Sequence, residues 1–178
     1  APFTLGSMLL RPAVENDIAR IVALERTPVA QSFVGQWTEE RHRATLSGSD
    51  ARYFVADSSA GDLEAYIILR GLSENSGALE LKRIVVAAPG RGLGRKILAN
   101  LLQLAFEDLH AHRLFLDVFE DNARARHLYE SLGFVYEGVM RDAALRDGHY
   151  FNLHLMSMLE SEYHKHQLGR ALSQAPSL

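Results

Sequence analysis

The chain of 178 residues is 47% hydrophobic and 23% charged, carries a formal net charge of −3 and contains no cysteine. Its length suits one domain with its own core, and the missing cysteine excludes disulfides, thiolate metal sites and a cysteine nucleophile. The slight acidity argues against duplex nucleic acid, whose partners carry a basic excess, and no apolar run reaches the roughly 20 residues of a membrane span.

The opening "APFTLGSM" lacks the basic, apolar and small-residue order of a secretory signal and reads as a flexible start, so the expected location is cytoplasmic. A short strand is predicted around Met8 to Leu10. Val14, Ile18, Ile21, Val22 and Leu24 then recur at helical spacing behind Glu15-Asn16-Asp17. "QSFVGQWTEERHRATL" reads as a loop entering a second helix, with Thr38 as its cap and Glu39 and Glu40 in its first turn, where acids suit the helix dipole. Arg20, Arg41 and Arg43 read as solvated helix charges.

"RYFVAD" and "LEAYIILRG" form a predicted hairpin across Ser58-Ser59-Ala60-Gly61. A third strand, "ALELKRIVV", runs into the glycine loop "PGRGLGRK". Beyond it Ile97, Leu98, Leu101, Leu102, Ala105 and Leu109 share one helix face. "RLFLDVF" is a strand, and a helix from about Ala123 carries Ala125, Leu128, Tyr129 and Leu132 on one face until Gly133 stops it. "FVYEGVMRD" and "HYFNLHLMSML" flank the turn Arg146-Asp147-Gly148 as a closing hairpin. "GRALSQAPSL" is small and polar, so residues 1–167 are expected as one domain and 168–178 as a flexible tail. The order β-α-α-β-β-β-α-β-α-β-β predicts an α/β fold with a mixed seven-stranded sheet and helices on both faces.

A glycine loop joining a strand to a helix presents successive backbone N–H groups at the positive end of a helix dipole, which suits an anion. Two nucleotide patterns fail against its letters. A Walker loop needs Ser or Thr after its lysine, and Lys96 is followed by Ile97; a dinucleotide fingerprint needs a third glycine where Arg95 or Ile97 stands. The bland alternative is a turn that only redirects the chain.

The loop instead resembles that of the GNAT superfamily of N-acetyltransferases, Gln/Arg-x-x-Gly-x-Gly/Ala, with Gly92 and Gly94 at the two small positions and Pro89 where Gln or Arg is usual. "NARARHLYESLGF", Asn122 to Phe134, is similar to the same family's Asn-x-x-Ala-x-x-Leu-Tyr-x-x-x-Gly-Phe. Within the family "LDVFEDN" looks most like ribosomal-protein N-terminal (alanine/serine) acetyltransferases, and the closing hairpin resembles that group and polyamine acetyltransferases. The resemblance implies a mostly antiparallel seven-stranded sheet with a splayed central strand pair. It implies acetyl-CoA as co-substrate, its pyrophosphate on backbone N–H groups of Arg91, Gly92, Leu93, Gly94, Arg95 and Lys96. The pantetheine arm would lie along Ile84, Val85 and Val86, with Asn122 as a polar contact, and no metal is implied.

Acetyl transfer to an amine needs a deprotonated amine, a polarised carbonyl and a stabilised thiolate. Tyr129 stands at the family's tyrosine position. With reference pKa values near 10 for tyrosine and 8.5 for a thiol, proton transfer to the thiolate is uphill by about 2 kcal/mol, so hydrogen-bond donation suffices. For the base the resemblance offers Asp117, where ribosomal alanine acetyltransferases carry a catalytic Glu, and Glu80 on the preceding strand as rival. Both also read as ordinary strand carboxylates, and Tyr129 as a core aromatic. His127 and His154 are further proton carriers by type, though lone histidines are more often structural. Deprotonating a lysine amine at pH 7 takes about 4.6 kcal/mol and an α-amine about 1, so a modest base suits an α-amine or small amine.

The loop carrying Phe33, Trp37, Glu39 and Glu40 lies where the family forms its acceptor wall; core packing and helix capping are the plainer reading. The expected activity is direct acetyl transfer to a primary amine, a small molecule or a peptide N-terminus, by a monomer or homodimer. A non-catalytic acyl-CoA sensor and a transferase of another acyl group are the alternatives.

Overall fold

Alternating burial, with Leu79, Leu81, Arg83 and Val85 inside and their neighbours half-exposed, makes "ALELKRIVV" a strand at the centre of a seven-stranded sheet. The computed structural model describes residues 10–174. In chain order they form β1 (Leu10–Pro12), α1 (Ile18–Glu25), a one-turn α2 (Pro28–Gln31), α3 (Glu39–Ser47), β2 (Arg52–Asp57), β3 (Leu63–Arg70), β4 (Ala78–Val86), α4 (Leu93–Gln103), β5 (Arg113–Phe119), α5 (Ala123–Leu132), β6 (Val135–Arg146), β7 (His149–Leu159) and α6 (Glu160–Ser173). Thr38 caps α3 as expected, its hydroxyl accepting from the Arg41 N–H at 3.2 Å. Gly133, left-handed at φ 104°, ends α5.

The strand order is β1-β2-β3-β4-β5-β7-β6, antiparallel throughout except where β4 meets β5. That parallel pair is matched only over Ala78–Glu80 and Arg113–Phe115; beyond it the two strands part. The splay implied by the family resemblance is therefore present. On the other edge of β4, Ile68 faces Arg83 and Leu69 faces Leu81, so Lys82 is an extra residue in a bulge. The bulge changes which face the side chains take: Leu79 and Leu81 join the core under α4 and α5, whereas Val85 joins the opposite core with Ile21, Leu24, Trp37, Tyr53 and Tyr66.

Two features depart from the sequence reading. After Gln103 the α4 ladder widens into a π-type turn over Leu104–Asp108, with the Leu109 N–H donating to the Leu104 carbonyl at 2.9 Å, and this swings Leu104, Ala105 and Phe106 all inward. The tail expected from residue 168 is instead helical as far as Ser173. Helix α6 has only one fully buried side chain, Tyr163, which stacks on Phe106 at 5.0 Å and donates to Glu107 at 2.6 Å, so its sequence shows no apolar stripe. The opening segment through residue 9 and residues 175–178 lie outside the described residues.

Candidate active site

Where β4 and β5 separate, their facing edges have no strand partner, and a cleft of about 780 Å³ opens between them. Leu81 to Val86 form one wall and Leu116 to Phe119 the other. Such an edge leaves backbone donors and acceptors unpaired, and an extended amide-bearing ligand can satisfy them as a further strand would.

At one end lies the glycine loop. Gly90 and Gly92 adopt φ of 93° and 77°, and Gly92 sits at the N-cap of α4 with no side-chain cap, so the first N–H groups of the helix are open to a ligand. Pro89, Gly90, Gly92, Gly94 and Arg95 line the cleft; Arg91, Leu93 and Lys96 do not, the two cations being exposed elsewhere and Leu93 packing on the core. Arg124, from the first turn of α5, reaches over the loop: its Nη2 lies 2.9 Å from where a Cβ on Gly90 would stand. Sequence reasoning did not single it out. It follows Asn122 by two residues, a helix-start position that faces whatever the glycine loop holds. With Arg95, it gives this end two cations above a row of unsatisfied N–H groups, a donor set that fits a diphosphate.

Midway along the cleft stand Asp117, Tyr129 and Asn122. Asp117 is open to the cleft yet ringed by protein, and this desolvation raises its pKa, with Lys82 opposing and Glu80 adding to the rise. It makes no hydrogen bond or ion pair among the described residues. Tyr129 is 7% exposed, packs edge-on to Phe134 at 5.7 Å, and likewise has no hydrogen-bond partner among the described residues. Burial, and secondarily the charge of Asp117, pushes its phenol well above the ordinary value, so it is a neutral donor at physiological pH. Asn122 spends its carbonyl oxygen on capping α5, accepting from the Ala125 N–H at 3.2 Å, which turns its NH2 into the group available to a ligand.

Glu80 is not brought to the cleft. It stands at the last matched rung of β4 and β5, where Lys82 approaches it at 3.6 Å and Arg70 at 3.9 Å. His127 pairs with Glu130 at 3.7 Å on the surface, and His154 packs against Tyr136 and Arg126, so neither histidine lines the cleft.

The opposite end is walled by Val29, Phe33, Trp37 and Leu145. Beside this end, outside the cleft lining, Arg146 ties the β6–β7 hairpin to its surroundings: it stacks at 4.0 Å on Phe151, pairs with Asp121 at 2.7 Å and donates to the Ser32 carbonyl. Glu39 and Glu40, expected in this wall, are outside it, and Glu39 holds Arg43 at 2.9 Å. Arg41 is not the free surface charge expected of it; its guanidinium lies 3.9 Å from the Trp37 ring centre, and that of Arg83 lies 4.3 Å from the same centre. Under this wall Glu25, 1% exposed, receives Arg83 and the Tyr66 hydroxyl on Oε1 and the Trp37 N–H on Oε2 at 3.3 Å, with His42 Nε2 3.2 Å away. Burial pushes the Glu25 pKa up, but the His42 and Tyr66 contacts and the Arg83 charge outweigh it, and the group stays ionised below its ordinary value.

Comparison with known proteins agrees with this geometry. The model of the acetyltransferase (GNAT) family matches residues 19–134. Spermidine N(1)-acetyltransferase of Vibrio cholerae is 28% identical over 128 residues, 70% of this chain and 73% of that protein. The N-alpha-acetyltransferase RimI of Mycobacterium tuberculosis is 32% identical over 79% of this chain and 83% of its own. Among solved structures, the spermidine N-acetyltransferase of V. cholerae in complex with CoA and spermine superposes with a TM-score of 0.78 at 26% identity, covering 88% of this chain and 97% of the other.

Proposed function

Because the chain belongs to the GNAT family and is thus an acetyl-CoA-dependent N-acetyltransferase, we propose that it acetylates a small primary amine directly, with Asp117 receiving the amine's proton and Tyr129 facing the departing sulfur. One observation carries this reading: the only carboxylate that lines the cleft and a tyrosine hydroxyl without a hydrogen-bond partner, both among the described residues, flank the point where β4 and β5 separate. With no cysteine to carry the acetyl group as a thioester, direct transfer in a ternary complex of amine and acetyl-CoA is the simpler route.

Acetyl-CoA supplies an acyl group already activated as a thioester. The chain positions it through the glycine-loop N–H groups, Arg95 and Arg124 at the diphosphate, and through the open edges of β4 and β5 along the pantetheine arm. The open β4 edge also offers N–H groups to the negative charge that develops on the carbonyl oxygen. Asp117, its pKa raised, is a better proton acceptor than a fully solvated carboxylate. Tyr129, held neutral, donates a hydrogen bond to the sulfur as it becomes a thiolate. The small amine is favoured over a polypeptide by the similarity to spermidine N(1)-acetyltransferase and by Arg146, which ties the hairpin beside the acceptor end to the Ser32 carbonyl.

Calorimetric titration with acetyl-CoA, followed by thiol release with a panel of amines, tests this reading. One-to-one binding and amine-dependent release support it. Binding without release by any small amine defeats it.

A further inference from the structure

We propose that the preferred acceptor carries a carboxylate beside its amine, and that Arg41, laid on Trp37, binds that carboxylate. This rests on the small-amine reading above. The charges lining the cleft among the described residues are Arg41, Lys82, Arg83, Arg95 and Arg124 against the single acid Asp117. Arg95 and Arg124 belong to the glycine-loop end. Arg83 is neutralised from beneath by Glu25, and Lys82, beside Asp117, is approached by Glu80 at 3.6 Å. Arg41 alone at the acceptor end is exposed, lines the cleft and has no acidic partner among the described residues.

A polyamine would place one ammonium at Asp117 and its others among these cations, with no second acid to receive them. The acids that sequence reasoning put in this wall, Glu39 and Glu40, are not there to change that balance. An amine with a carboxylate is complementary instead: its nitrogen faces Asp117 and its carboxylate faces Arg41, whose planar fork suits two oxygens. The remaining wall, Val29, Phe33 and Leu145, takes an apolar body. The chemistry is that of a zwitterion with an apolar side chain, such as an aliphatic or aromatic amino acid.

Steady-state rates at saturating acetyl-CoA with leucine and phenylalanine, their amides, an N-terminal peptide amide and spermidine test the assignment. The expected result is kcat/KM for the free acids at least about tenfold above their amides, chiefly through KM, since a charge-assisted contact is at stake. The amides have the more easily deprotonated amine, so chemistry alone would favour them. Arg41→Gln is expected to bring the free acids down to the level of their amides. Arg43→Gln, on the same helix but outside the cleft, leaves the preference intact. Preference for spermidine, an amide or the peptide, or a carboxylate preference that survives Arg41→Gln, overturns the assignment while leaving amine acetylation standing. Absence of thiol release with every amine, despite calorimetric binding of acetyl-CoA, overturns amine acetylation itself and the acceptor assignment with it.

Discussion

Asp117 and Tyr129 reach one cleft from opposite faces of the same sheet. Asp117 alternates along β5 with Leu116 and Val118, which are buried in the core that also contains Tyr129, so its carboxylate points away from that core. Only the parting of β4 and β5 lets the two groups share a space, and their coupling is felt in the phenol, which the carboxylate raises further. The carboxylate and the phenol are thereby held on opposite sides of the cleft.

Tyr129→Phe is expected to lower kcat by about 10- to 100-fold, the worth of one hydrogen bond to a charged group, and to leave acetyl-CoA affinity unchanged. Because the hydroxyl has no protein partner among the described residues, the melting temperature should hold. Rapid-quench turnover paired with calorimetry separates these effects; weaker acetyl-CoA binding with intact kcat would assign Tyr129 to binding instead.

As the proposed base Asp117 must be ionised, and its raised pKa is expected to place the acid limb of kcat/KM at higher pH than an ordinary carboxylate would. Asp117→Asn should remove that limb and lower kcat/KM by about 100- to 10,000-fold. The stability effect has the opposite sign. A carboxylate whose folded pKa is raised contributes stability below its unfolded pKa and loses it as pH rises through the folded value. The Asn variant should therefore unfold at a higher temperature than the parent at pH 7, and a pH series of melting curves checks it.

Arg124→Ala is expected to weaken acetyl-CoA binding by at least about tenfold and to flatten its dependence on salt, since a charged contact to phosphate is screened by ions. Lys96→Ala, on the same loop but outside the cleft, should change affinity little. Equal effects from the two would mean that general surface charge, and not the position of Arg124 over Gly90, attracts the diphosphate.

Asp17 ties three elements. Its carboxylate receives Arg11 at 2.7 Å, Arg20 at 2.9 Å and the Val14 N–H at 2.9 Å. The Arg11 hydrogen bond foremost holds its pKa at about 2, against an ordinary 3.8. A lowered carboxylate pKa stabilises the fold above the ordinary value, and that contribution is lost as pH falls through about 2. It amounts to about 2 kcal/mol at neutral pH. Asp17→Asn should lose that amount in denaturant titrations at pH 7 and less as pH approaches 2.

Much of this could be read from the letters, and the misses share a cause. Strand-like apolar runs located β2, β4 and β5 to the residue and β3 to within one residue, and the Asn122-to-Phe134 pattern located α5, because local sequence decides those elements. Helix α6 escaped because a helix that buries one aromatic leaves no stripe. Glu80 and Asp117 looked equivalent as strand carboxylates; the three matched rungs of β4 and β5 separate them, and no pattern in the sequence counts rungs. Arg41 was read as a solvated charge because its partner, Trp37, lies before the helix starts at Glu39, so their four-residue separation did not count as a pair on one helix face. Pro89 removed a polar side chain from the loop, and the cation that covers the loop comes from α5.

The buried Glu25 offers a test of how far the acceptor wall depends on what lies beneath it. Glu25→Ala leaves the Arg83 charge 9% exposed and unpaired, and removes the acceptor for Tyr66 and for the Trp37 N–H. Breaking a buried pair from one side typically costs about 3–5 kcal/mol. Glu25→Gln keeps the oxygen that accepts from Tyr66 but loses the charge and puts an NH2 where Oε2 accepts from the Trp37 N–H, so it should be the milder change because one acceptor survives. In both variants Trp37 loses its anchor and the Arg41 stack loosens with it, so KM for the amine should rise while the dissociation constant of acetyl-CoA, proposed to bind at the other end of the cleft, holds. A matched rise in both would mean that the network supports the whole sheet and not the acceptor wall in particular.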